Sequence, residues 1–224
     1  MSLRQRFLTL LVFVPLLAAG LRAEAVSFTS TNAGFLDGIP LMLGWQFEVT
    51  ASIQVTQLGF QDYGSDGLVT SHEVGIWQDS DQSLLGSVIV QAGTASTLNN
   101  FFRYELITPI LLVPGQLYVI GGFDPANTDL HVWDAFLTGY NNDVNGFTVD
   151  PLIQLGGVGT ARFAPVAVFS FPGQTTGDTR SALLGPNFQF TAVPEPGTWI
   201  GFLGLAAMWA AKKRSRQQGN YSEN

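Results

Sequence analysis

Trp45-Gln46-Phe47-Glu48-Val49-Thr50-Ala51-Ser52-Ile53-Gln54-Val55-Thr56-Gln57-Leu58 alternates apolar and polar side chains on either side of a short break of small residues. A period of two puts every second side chain on one face of an extended chain, so each half reads as a strand with one buried face. The second half runs on into Gly59-Phe60. Working outward, further strands are expected over 73–78, 84–90, 101–107, 116–121, 161–169 and 187–191. Turn signals separate them at short spacing: Asp66-Gly67, 79–83, Pro114-Gly115, Asp124-Pro125 and Pro172-Gly173. No capped stretch of helical period stands between Val26 and Ala192. Many short strands without helices imply an all-β fold, an antiparallel β-sandwich of jelly-roll type. The Gly-, Asn- and Asp-rich segment 134–159 reads as a long loop or an irregular hairpin.

Both ends of the chain read differently from its middle. Arg4 and Arg6 precede an apolar stretch, 7–19, and Ala23-Glu24-Ala25 has the small-x-small form of a signal peptidase site, with cleavage expected before Val26. At the other end Val193-Pro194-Glu195-Pro196-Gly197 leads into an apolar run, 199–211, and then Lys212-Lys213-Arg214-Ser215-Arg216. A basic cluster directly after an apolar run marks the end that stays in the cytoplasm. Thirteen residues reach only about 20 Å as a helix, against the roughly 30 Å of a bilayer core. The run is short for a permanent anchor, and the prolines on both sides of Glu195 keep that site extended. A simple C-terminal anchor is the alternative.

This three-part tail resembles the PEP-CTERM sorting signal of Gram-negative bacteria. The resemblance implies recognition of Val193, Pro194, Glu195 and Pro196 by a membrane protease of the exosortase type, with Lys212, Lys213, Arg214 and Arg216 as the basic stop. The expected organisation is a signal peptide (1–25), a sandwich domain (26–192), the sorting signal with its short apolar helix (193–216) and a polar tail (217–224).

The charge balance changes once the ends are set aside. Of ten Lys+Arg and seventeen Asp+Glu in the chain, seven bases and three acids lie in the targeting segments. Fourteen acids and three arginines remain in 26–192, a net charge near −11, with no lysine. Such a surface repels nucleic acid and anionic headgroups; it suits divalent cations, neutral partners, or simple solubility. The chain has no cysteine, which excludes a disulfide framework, a thiolate metal site and a cysteine nucleophile.

A second resemblance rests on Leu58-Gly59-Phe60, His72-Glu73-Val74-Gly75-Ile76-Trp77, Leu84-Leu85-Gly86-Ser87, Phe102-Arg103-Tyr104 and Pro114-Gly115-Gln116 with Tyr118-Val119-Ile120, in that order. The order is similar to an uncharacterised β-sandwich domain of bacterial surface and PEP-CTERM proteins, with Ile76 where that pattern carries leucine. It covers roughly 44–122 and implies a sandwich displayed outside the cell, with no assigned activity.

Three groups of residues invite chemistry. Asp62, Asp66 and Glu73 surround a glycine-containing loop that could offer oxygens to Ca2+. Glu73 falls at position 12 of a loop begun at Asp62, but Gly64 stands where position 3 should supply an oxygen, and a plain surface turn is the alternative. Asp124, Asn127, Asp129, His131, Asp134, Asn141, Asn142 and Asp143 form a second oxygen-rich stretch, or a solvated loop. His72 and His131 are the only histidines; a pair could bind zinc or serve acid–base roles, but no hydrolase, zinc or nucleotide motif includes them, and a structural hydrogen-bonding role is expected for His72. Trp133 and Tyr140 have the aromatic character of a sugar-stacking site, whereas Trp45 and Trp77 fall on strands and read as core. The expectation is a non-catalytic surface or matrix protein, structural or adhesive, associated with exopolysaccharide. Its alternatives are an envelope glycan hydrolase, which needs two carboxylates across a cleft about 5–10 Å apart, and a calcium-stabilised scaffold.

Overall fold

The computed structural model describes residues 22–36, 38–125, 129–132, 143–157, 159–177 and 182–194. Trp133, Tyr140, Glu195, Pro196, the apolar run expected to be helical and the basic cluster lie outside them. In chain order the strands are β1 (Ala23–Glu24), β2 (Val26–Ser27), β3 (Ser30–Thr31), β4 (Leu41–Val49), β5 (Ile53–Gln61), β6 (His72–Gln78), β7 (Leu84–Val90), β8 (Thr97–Asn99), β9 (Phe102–Leu112), β10 (Tyr118–Asp124), β11 (Val144–Asn145), β12 (Thr148–Val149), β13 (Ile153–Leu155), β14 (Ala161–Ala164), β15 (Gln174–Thr175) and β16 (Pro186–Ala192).

They form a five-stranded sheet, β1-β16-β5-β9-β8, and a seven-stranded sheet along β15-β14-β4-β10-β6-β7, in which β13 also pairs with β4. Two short ribbons, β11-β3 and β12-β2, complete the pairing. Neighbouring strands in both sheets are antiparallel. The fold is the all-β, antiparallel sandwich that the alternation implies. Leu43, Trp45, Phe47 and Val49 of β4 point inward, as their spacing requires, and meet Phe188 and Phe190 of β16 and Leu58 and Phe60 of β5 in one core. The Trp45 and Phe188 rings stack with centroids 5.7 Å apart, and Phe47 lies 5.0 Å from Phe188. Each fully buried aromatic of this kind contributes about 1.5–3 kcal/mol relative to an exposed one. The Trp45 indole N–H donates to the Pro186 carbonyl at 3.0 Å, so its polar edge is satisfied.

Three departures from the sequence reading have physical causes. β9 runs to Leu112, past Pro109, because the ladder to β5 slips there: Val55 pairs with Ile110 and Gln57 with Leu106. Thr56 thus faces an irregular stretch, where the missing proline N–H breaks no regular rung. β14 stops at Ala164, before Pro165, rather than at 169. The chain then crosses the outer face of the seven-stranded sheet, where Phe169 and Phe171 pack with Met42, Trp77 and Ala164 in a second, smaller apolar cluster. Trp77 is therefore core, but of this outer cluster. Finally, 143–155 supplies β11, β12 and β13, each two or three residues long, where the sequence suggests a long loop or an irregular hairpin.

Candidate functional site

His72 opens β6 and alternation turns its side chain inward, where it is fully buried. Its ring stacks on Phe60 with centroids 3.8 Å apart and planes within 3°. Nδ1 lies 3.1 Å from the Phe123 carbonyl and Nε2 2.9 Å from Asp129 Oδ2. Asp129 also accepts from the Val69 and Thr70 amides at 2.7 and 3.0 Å and from the Thr70 hydroxyl at 3.1 Å. Burial pushes its carboxyl up, but the hydrogen bonds from His72, Val69 and Thr70 outweigh burial and hold it below the ordinary aspartate value. Asp129 is a structural clamp, fixing the 68–71 segment to the strand beside it, and not part of a solvated loop. Asp124, His131 and Asp143 of the same oxygen-rich stretch are buried as well, and His131 exchanges backbone hydrogen bonds with Phe35. Asn127, Asp134, Asn141 and Asn142 lie outside the described residues.

The loop read as a calcium candidate has a different occupant. Asp62 is buried at the end of β5, and its Oδ2 accepts from Arg103 Nε at 2.7 Å and from the Gly67 amide at 3.0 Å. Gly67 sits at φ +116°, open to glycine but strained for other residues. Arg103 is equally buried and donates its Nη1 to the carbonyls of Thr94 and Ser96 at 3.3 and 3.2 Å. A guanidinium thus already holds Asp62 Oδ2. Asp66 is exposed, while the Glu73 carboxylate accepts from Ser87 at 3.1 Å across to β7. Among the described residues no three His, Cys, Asp or Glu side chains gather into a metal-binding group. Of the remaining glutamates, Glu105 accepts from Ser96 at 2.6 Å on the five-stranded sheet, and Glu48 lines a cleft of about 190 Å3 with Gln46, Gln154 and Gly157.

The residues flanking the domain meet on one sheet. Ala23 and Glu24 pair with Phe190 and Gln189 of β16, and Ala25 is wholly buried. Just past the C-terminal end of β16, the Val193 amide donates to the Ser52 carbonyl at 2.9 Å, and Pro194 is exposed. Beside β1 an open cleft of about 470 Å3 is lined by Arg22, Glu24, Ser27, Asn99, Thr148 and Asp150 among others. Glu24 accepts from the side-chain amides of Asn99 and Asn100, and Arg22 donates to Gln57 Oε1 at 3.0 Å. Burial holds the Tyr104 phenol well above its usual value, and the nearby Glu24 carboxylate adds to the effect.

Sequence reasoning anticipated a structural role for His72 but missed the partners in both buried acid–base contacts, and it missed the polar cleft. One signal was present: with three basic residues among fourteen acids in 26–192, an arginine in the middle of a strand has strong reason to be paired. The partners stand 41 and 57 residues apart, beyond any local pattern. No protein-family model matches the chain, and no curated protein resembles it.

Proposed function

We propose that this is an exported, non-catalytic protein whose β-sandwich is released to the cell surface or matrix by an exosortase-type protease and there associates with exopolysaccharide. The observation that carries the reading is the junction at Ala192. The last strand ends there, Val193 makes one more backbone bond, and Pro194 is exposed, so the Pro194-Glu195-Pro196 motif begins where the sheet's hydrogen bonding stops. A protease needs an extended, unpaired segment, and the two prolines supply one. The cleft at β1 offers hydroxyl, amide and carboxylate groups of the kind that match a hydrated, neutral sugar surface, and the acidic domain disfavours nucleic acid as a partner. Calcium, in the second reading, would compete with Arg103 for Asp62 and draw on the exposed Asp66 and on loop carbonyls.

Expression of the full chain in a host with an exosortase-type system tests the reading. The wild type is expected to lose everything beyond the motif and to co-purify with extracellular polysaccharide. Glu195→Ala is expected to keep its tail through Asn224 and to remain with the membrane. A wild-type chain that retains the tail overturns the proposal.

A further inference from the structure

The leader's apolar stretch ends in one small-x-small triplet, Ala18-Ala19-Gly20, and a second, Ala23-Glu24-Ala25, follows it. The second gives the expected cut before Val26. Either suits a peptidase that reads small side chains at alternate positions. The peptidase acts on a chain still crossing the membrane, so the folded state does not shield either site. What the fold reveals is which residues the finished domain uses.

It uses Arg22 to Ala25 throughout. Ala23 and Glu24 form the edge of the five-stranded sheet against β16. The Ala25 amide donates to the Phe188 carbonyl at 3.0 Å, and the Ala25 carbonyl accepts from the Asp150 amide at 3.0 Å. Glu24 ties down Asn99 and Asn100, and Arg22 ties down Gln57. A chain beginning at Val26 would lose all of these. It would also turn the Val26 nitrogen, now 3.4 Å from Asn187 Oδ1, into a chain terminus beside a side chain whose Nδ2 donates to the Val26 carbonyl at 2.8 Å.

From these contacts we infer that the export cut falls at Ala18-Ala19-Gly20, before Leu21, and that Arg22 to Ala25 belong to the mature domain as its edge strand. Ala23-Glu24-Ala25 is then a structural segment that happens to satisfy the peptidase pattern. The polar cleft bounded by Arg22 and Glu24 exists in the mature protein only under this assignment. The inference rests on the exported reading above.

N-terminal sequencing and intact mass of the full-length gene product, recovered from the envelope of a Gram-negative host, decide the matter. The expected first residue is Leu21. Ala18→Gln is expected to accumulate precursor at least several-fold, whereas Ala23→Leu is expected to leave the cut in place. A mature chain starting at Val26 overturns this inference and leaves the export reading standing. A chain that keeps Met1 in both the wild type and Ala18→Gln overturns both.

Discussion

Arg103 is 3% exposed and Asp62 likewise, and the pair is held by a 2.7 Å bond with further donation from Arg103 to three carbonyls. Arg103→Met removes the cation and leaves a carboxylate buried with the Gly67 amide as its other partner. The expected loss is about 3–5 kcal/mol in chemical denaturation. Adding Asp62→Asn to it should recover part of the loss, because the uncompensated charge is then gone. Asp129 makes a pH prediction with a definite sign. Its carboxyl titrates lower in the folded chain than the ordinary value of 3.8. Its contribution is therefore fully present above that value and is lost as the pH falls through the folded one. The melting temperature should drop as the pH is lowered below the ordinary carboxyl value of 3.8, and Asp129→Asn, less stable at pH 7, should show a shallower drop. Neither pair was legible beforehand. Asp62 and Asp66 look alike in a glycine-bearing loop, and only the strand that brings Arg103 underneath separates a buried acid from an exposed one.

Among the elements, legibility followed length. β4, β5, β6, β7, β10 and β16 are seven to nine residues long, enough repeats of the period for the alternation to show. β1, β2, β3, β11, β12 and β15 have two residues each, and a period cannot be read from two positions. The sequence extends β14 to 169 because 163–169 is rich in strand-forming residues, while what fixes the path is Pro165 and an apolar surface outside the sheet. That surface depends on glycines: Gly44, Gly121 and Gly75 stand side by side across β4, β10 and β6. A Cβ on Gly75 would lie 2.7 Å from the Phe169 ring, and one on Gly121 3.0 Å from Pro172. Gly75→Ala should lift Phe169 away from Trp77, whose rings now sit 5.1 Å apart. The expected cost is about 1–3 kcal/mol, the usual range for overpacking, with Trp77 emission shifting to longer wavelength. Unchanged emission and stability would show that the 165–173 segment does not bear on the sheet.

At the scale of the whole molecule, the sandwich class was readable because alternating strands and closely spaced turns left no room for helices. The placement of candidate groups was not, since it depends on which strands become neighbours across the two sheets. Strand order also settles how the domain bears a load. β16 lies between β1 and β5, bonded to β5 along its seven residues, and continues at Ala192 into the tail. A pull on that tail runs along the strand axis. Rungs in this geometry do not open one after another as in a zipper; they are sheared together, and the force is shared among them. A domain tethered through its C-terminus is thus gripped by an inner strand of its sheet, so that a load from flow falls on many rungs at once.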